Sequence, residues 1–442
     1  QFSHYQLQDF SLIPAKSSSH QLRRRCDTWP LMPTKHIKSM LLNNCFAARP
    51  ARPKTSVASP EHRSFNALNK VWLAGLILIL LYGCAQNKVK LTPLPKYTKE
   101  VSIHVNWRSN LGRGSRLLLR HQIPAEGVED VFLCDWQRVL ALNLETGKRT
   151  WRKKLAAPVT GCVGNFADRL YVTDEDGIVY ALDADNGEII WQSDLTISSA
   201  SPPTANENIV LVQTVNEKLF ALDANDGTEL WSYSAFAPPL TLFGSFRPII
   251  LGNVVLTGFA DGSVVVLDPR SGNVISFSQL VLPQGTSDLE NLVDIDATAV
   301  FHENIMFLSS YGGATIALDL QSGKEIWRRN LGSSLPMVIF EQALYLVDND
   351  SRIYALNLGD GETIWQNENY LYRDLTAPTL TEEFLLMGDT KGYVHAINAR
   401  SGETAGRKKF SITGIRDFML PTTQGIVLLE KEGFASLVEI RR

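Results

Sequence analysis

The sequence predicts an all-β protein: an eight-bladed β-propeller over residues 101–442, built of four-stranded antiparallel blades. Three observations carry that expectation. The segment Ile178-Val-Tyr-Ala-Leu-Asp183-Ala-Asp-Asn-Gly187-Glu-Ile-Ile-Trp191 has six kin, centred on Gly147, Gly227, Gly272, Gly323, Gly361 and Gly402, with successive spacings of 40, 40, 45, 51, 38 and 41 residues. A repeat of that length is the period of a four-stranded propeller blade. Within each repeat the apolar residues alternate, as at Ile178, Tyr180 and Leu182, which is the period of a strand and not of a helix. The third observation is what remains. Residues 425–440 read as a hairpin short of its last strand, and residues 101–107 supply a strand ending in Trp107. Joining the two closes the ring and removes an open sheet edge. Seven blades is the alternative count.

Each repeat position has a physical task. Asn143, Asp183, Asp223, Asp268, Asp319, Asn357 and Asn398 precede the turn, where their side chains can accept backbone N–H bonds from two residues on. They are read as turn-formers, not catalysts. The glycine four residues later supplies a positive φ without steric cost. Four residues beyond it stands Trp151, Trp191, Trp231, Trp327 or Trp365, a ring large enough to fill the space between blades while its N–H finds an acceptor. Ser276 and Gly406 stand where two repeats lack the Trp, and looser outer edges are expected there. A second turn precedes each unit, as in Asp174-Glu-Asp-Gly177, Phe259-Ala-Asp-Gly262, Tyr311-Gly-Gly313 and Asp389-Thr-Lys-Gly392, and reads as a hairpin.

The region before the ring divides in three. Residues 71–82 form an apolar run of twelve, too short for a membrane span of ~20 residues. Followed by Gly83-Cys84, it fits the apolar core of a secretory signal over 68–83, with Lys70 as its positive start. Residues 1–67 carry no apolar periodicity, begin with Gln and are rich in Ser, Pro, Arg and Gln. They read as a disordered extension upstream of the true start. Residues 84–100, with Thr92-Pro-Leu-Pro95, read as a flexible tether. The whole chain holds 43 basic and 46 acidic residues; residues 1–83 hold 11 and 3 of them, leaving 32 against 43 and a net charge of −11 for the remainder. Such a surface repels nucleic acid. Cys134 and Cys162 lie in apolar strand text. They are read as buried thiols, a disulfide being the alternative in an oxidising compartment.

The motifs of enzymes are missing. There is no phosphate-binding Gly-rich loop and no Gly-x-Ser-x-Gly elbow. His104, His121, His302 and His395 are scattered without the spacing of metal ligands. No metal and no cofactor is expected.

Three resemblances follow from these residues. The Trp-marked repeat resembles the quinoprotein-type propeller family, whose enzymes oxidise alcohols with pyrroloquinoline quinone and Ca²⁺ beneath an adjacent cysteine pair. This chain has no Cys-Cys pair, so a quinone-dependent dehydrogenase is kept only as the alternative. The Leu81-Tyr-Gly-Cys84 segment resembles a bacterial lipobox, which implies cleavage before Cys84 and its acylation. With Ala85 and Gln86 following, the resemblance implies the outer membrane, periplasmic face. Lipobox, tether, Trp repeats and two loops together resemble the BamB family, lipoprotein subunits of the outer-membrane β-barrel assembly complex. The loops are Pro239-Leu240-Thr-Leu242-Phe243-Gly244 and Leu292-Val-Asp294-Ile-Asp296-Ala-Thr298. The resemblance implies a non-enzymatic scaffold whose Leu240, Leu242, Asp294 and Asp296 contact the POTRA domains of BamA, other subunits and unfolded barrel precursors being further partners. Phe243 stands in place of the family's Arg, and nearby Arg247 is the candidate substitute. Leu240, Leu242, Phe243 and Phe246 form an apolar cluster of the kind that marks an interface when exposed, with the acid pair placed to select a basic surface.

Overall fold

A computed structural model describes residues 90–112, 125–199, 201–241, 246–282 and 292–442. Residues 1–83, Cys84, Leu242 and Phe243 lie outside the described residues. Eight four-stranded antiparallel sheets make the ring. Blade 1 runs from Ala125–Glu126 to its outer strand Arg149–Lys154, and blades 2 to 7 end in outer strands Ile189–Asp194, Glu229–Ser234, Val274–Gln279, Glu325–Arg329, Thr363–Asn367 and Thr404–Lys409. Blade 8 takes three strands from the C-terminus, Ile415–Thr422, Gly425–Glu430 and Phe434–Arg441, and its outer strand Ser102–Asn110 from the N-terminal side. Val105 faces Val438 in that closing pair, and Trp107 faces Leu437 after a one-residue slip. The ring thus closes as the leftover strands predict.

The repeat residues build a lock between successive blades. Each Trp indole N–H donates to a backbone carbonyl of the next blade: Trp107 to Leu144, Trp151 to Ala184, Trp191 to Ala224, Trp231 to Pro269, Trp327 to Leu358 and Trp365 to Ala399, all within 3.0 Å. The ring then lies over the next turn's glycine. A Cβ on Gly147, Gly187, Gly227, Gly272, Gly361 or Gly402 would fall within 2.7 Å of a ring atom. Positive φ and this close approach both require glycine there. Opposite each of these tryptophans in blades 1, 2, 3, 5 and 6 stands an alanine, from Ala141 to Ala355, small enough to admit the ring. Tilted pairs such as Tyr171–Trp191 and Phe307–Trp327, 6.0 and 5.7 Å between centroids, add about 0.5–1.5 kcal/mol each beyond area burial. The turn carboxylates and amides behave as turn-formers: Asp183 accepts from Asp185 and Asn186 N–H, and Asn398 from Arg400 and Ser401 N–H.

Three expectations change. Cys134 and Cys162 form a disulfide and are not free thiols. They lie on strands Asp130–Asp135 of blade 1 and Val159–Phe166 of blade 2, whose Cα atoms at these positions are 6.2 Å apart, inside the range a disulfide spans. The described part of the tether is tied to the ring: Thr92 N–H donates to the Leu371 carbonyl, and the Glu100 and Val101 N–H groups to the Ala405 carbonyl. Those last bonds place Val101, fully buried, over Gly406. The Trp-less edge of blade 7 is therefore filled, not loose. At the Ser276 edge no such cover is seen: nothing among the described residues lies within 4 Å of a Cβ built on Gly323.

Candidate functional site

The two loops singled out in the sequence meet at blade 4. Gly258 ends the strand Val254–Gly258, and a Cβ built there would lie 2.9 Å from Ile295 and 3.1 Å from Phe246. One loop thus contributes Phe246 and the other Ile295 to a single apolar cluster. The Ser201 hydroxyl donates to the Phe246 carbonyl, and Tyr311 N–H to the Asp294 carbonyl, so the loops are also fixed to blades 3 and 5. Among the described residues of the first loop, Leu240 is 44% exposed, and Phe236, four residues earlier in the chain, is 70% exposed. Phe246, read with Leu240 as one exposed cluster, is instead core at 1%, because it fills the space above Gly258.

The acid pair has a different setting from the expected surface. Asp294 and Asp296 are 1% and 8% exposed, within the continuously buried run Leu292–Ala297. Arg247 is half-buried and its Nε donates to the Thr204 hydroxyl at 3.3 Å; burial pulls its guanidinium below the usual value. Glu217, which sequence reasoning passed over, belongs to the same neighbourhood. It is buried, its Oε2 accepts the Ala260 N–H at 2.9 Å, and its pKa is pushed up to about 7, first by burial and then by the charges of Asp294 and Asp261. Its one sequence signal is position: Glu217 closes a hairpin where blade 2 has Gly177 and blade 4 Gly262, and it adopts the same left-handed φ, +62°.

A second polar cluster seats the tether on blade 7. Arg373 donates through Nε and Nη2 to Asp389 at 2.8 and 2.6 Å and through Nη1 to the Thr92 carbonyl at 3.0 Å. Arg407 donates through Nε to His395 Nδ1 and through Nη2 to the Pro95 carbonyl, and stacks over Tyr97. With Nδ1 accepting, His395 must carry its proton on Nε2, which lies 3.0 Å from Asp389. Burial, aided by the two arginines, lowers the His395 pKa. Burial works to raise that of Asp389, but bonds from His395, Tyr393 N–H and Arg373 outweigh it and hold the carboxyl below the usual range. The tether bounds a polar cleft of about 660 Å³, lined by Lys96, Tyr97, Glu100, Glu368 and Glu403. Among the described residues, no three His, Cys, Asp or Glu side chains are grouped to hold a metal ion.

Comparison with known proteins gives a consistent picture. Residues 135–367 match the family model described as outer membrane protein assembly factor BamB. A protein of that name from Yersinia pestis is 29% identical over 384 residues, covering 83% of this chain and 98% of its own. Its namesake from Salmonella typhimurium is 30% identical, covering 78% and 93%. The crystal structure of BamB from Moraxella catarrhalis superposes with a TM-score of 0.70 at 23% identity, over 76% of this chain and 99% of that one. The quinohemoprotein alcohol dehydrogenase of Comamonas testosteroni shares the fold alone, with a TM-score of 0.62 at 13% identity over 76% of each chain.

Proposed function

The chain belongs to the outer membrane protein assembly factor BamB family, and from that premise we propose that it is a non-enzymatic scaffold of the β-barrel assembly complex. Anchored by acyl groups on Cys84 at the periplasmic face of the outer membrane, it docks on the POTRA domains of BamA and helps present unfolded barrel precursors for insertion. The observation that carries the docking site is the meeting of the two loops at blade 4. Leu240 stays exposed there while Phe246 and Ile295 pin the loops from beneath. An exposed apolar anchor on a rigid support is the form of an interface hot spot. The family resemblance assigns Leu242 and Phe243, next in the sequence, to the same contact. Buried Asp294 and Asp296, with Arg247, act from below as positioning groups that set the loops' shape.

The test is a pull-down of the compact unit Gln86–Arg442 against a soluble POTRA fragment of the cognate BamA. The parent is expected to bind. Leu240→Asp, a surface change that leaves the fold intact, should weaken binding at least tenfold, as loss of a hot-spot anchor of about 2 kcal/mol or more does. Equal binding by parent and variant would remove Leu240 from the interface, and no binding by either would remove BamA as partner. For the dehydrogenase alternative, the likeness to the quinohemoprotein alcohol dehydrogenase is one of fold alone.

A further inference from the structure

Two arginines hold the tether on blade 7, and one buried dyad holds both arginines. Arg373 donates to the Thr92 carbonyl and Arg407 to the Pro95 carbonyl. Beneath them, Arg373 donates twice to Asp389 Oδ2, the oxygen that also faces His395 Nε2, and Arg407 Nε donates to His395 Nδ1. The charges that act on His395 are those of Asp389, Arg407 and Arg373, and Tyr370 and Tyr393 pack against its ring. With the imidazole neutral, this set carries one carboxylate against two guanidinium groups. A proton on Nδ1 removes the acceptor of the Arg407 N–H and sets a third cation in a buried place, where unpaired charge is costly. The relief open to the set is for an arginine to turn out to water, and the bonds given up with that movement include those to the tether. Burial and the two arginines oppose that proton while the tether is seated. Release therefore takes up a proton, and it is favoured as pH falls below the ordinary histidine value near 6.5.

Chain length gives release a consequence. Thr92 is fixed to Leu371, in the connection from outer strand Thr363–Asn367 to inner strand Thr379–Thr381. The Leu240 loop is a connection of the same kind, from Glu229–Ser234 to Ile249–Leu251. Outer-to-inner connections of successive blades all open on one face of the ring, so the chain leaves by the face that carries Leu240. Eight residues lead from Cys84 to Thr92, and fully extended they reach ~29 Å. With the tether unseated, the first fixed residue is Glu100, sixteen residues from Cys84, and the reach becomes ~58 Å. We propose that residues 92–99 are an acid-released latch, which at neutral pH holds the docking face close to the membrane anchor and on protonation of His395 opens and doubles the reach. The distance rests on the acylation of Cys84 argued above; the latch itself does not.

The test follows a nitroxide on Lys96→Cys, an exposed tether position, in the mature chain, whose Cys134 and Cys162 are paired with each other. The ratio of mobile to immobile label should rise at least tenfold from pH 7.5 to pH 5, with tryptophan emission unchanged because the ring stays folded. In His395→Gln, whose amide offers a donor and an acceptor without titrating, the ratio should stay within twofold. Tyr97→Ser removes the ring stacked under Arg407 from the tether alone, and should raise the ratio already at pH 7.5. The second readout uses phosphatidylcholine vesicles that carry an acceptor dye. Energy transfer from a donor on Ile412→Cys, 78% exposed in the connection from blade 7 to blade 8, should fall at least twofold over the same pH range, and hold constant in His395→Gln. A label equally immobile at both pH values would overturn the proposal, as would acid release that His395→Gln does not abolish. Release with undiminished transfer would overturn the doubled reach. A parent that does not stay on the vesicles, while its label still frees in acid, would sink the acyl-anchor reading and spare the latch.

Discussion

Blades 4 and 7 both lack the tryptophan that locks every other blade of the ring to its neighbour, and they resolve the loss in opposite ways. In blade 7 the chain's own N-terminal segment arrives, fills the place with Val101 and is fastened by a buried set of charges. In blade 4 nothing among the described residues arrives. The lock is thus a requirement for an apolar body over a turn glycine, and the indole is one means of meeting it. Where the fold meets it with its own chain, the result is stability. Where it does not, the result is a surface.

The largest test of that contrast is to unfasten blade 7. Arg373→Met leaves the Asp389 carboxylate buried without its principal cation, and breaking a buried pair in this way costs about 3–5 kcal/mol. The urea midpoint should fall accordingly, and protease should cut the freed tether at Lys96. The companion change in blade 4, Ser276→Ala, touches no such network and should stay within about 0.5 kcal/mol of the parent. Equal losses at the two sites would mean that the blades do not differ as described.

These two blades also mark what the sequence discloses. The Trp–Gly lock is legible because its members repeat at fixed local spacing, and a missing Trp at Ser276 or Gly406 is visible as a gap in that pattern. What fills the gap is not legible, since Arg407 meets Pro95 across 312 positions and nothing local marks that pairing. Cys134 and Cys162, 28 residues apart, pair only because two blades stand side by side. The acid pair misleads for a related reason. Asp294-Ile-Asp296 looks like an exposed polar loop, but the chain threads it between blades and buries all three residues. Glu217 was hidden because a glutamate in a glycine's place reads as an ordinary turn residue.

The second test separates the two regions by pH, because their buried titratable groups act with opposite sign. Glu217 has a pKa raised to about 7. Between the unfolded value near 4.5 and that figure, the folded chain holds a proton the unfolded chain releases. Stability from this group is full below about 4.5 and is lost as pH rises through 7, by at most about 3 kcal/mol. His395 is buried and neutral, with its pKa lowered among Asp389, Arg373, Arg407, Tyr370 and Tyr393. Its contribution is full above the unfolded value near 6.5 and is lost as pH falls below it. Glu217→Gln should therefore gain on the parent as pH rises from 5 to 8, whereas His395→Gln should gain on its own pH 8 difference as pH falls from 7 to 5. Urea titrations at about six pH values would show the two difference curves sloping in opposite directions; parallel curves would refute the assignment.

The smallest effect is the most direct comparison of a closed lock with an open one. Gly187 and Gly323 have nearly the same backbone, with φ +74° and +67°. Alanine at either pays the same left-handed penalty of about 1–2 kcal/mol. At Gly187 the added methyl also meets the Trp151 ring at 2.6 Å, and overpacking of that kind costs a further ~1–3 kcal/mol. At Gly323 it meets nothing among the described residues within 4 Å. The difference between Gly187→Ala and Gly323→Ala is therefore the cost of the lock alone, with backbone strain cancelled. If Ser276→Trp, with Val266→Ala opposite it, closes the blade 4 slot as Trp151 closes its own, adding Gly323→Ala on that background should cost as much as Gly187→Ala does in the parent. A Gly323→Ala cost that ignores the new indole would mean the ring had not entered the slot, and that blade 4 lacks more than its tryptophan.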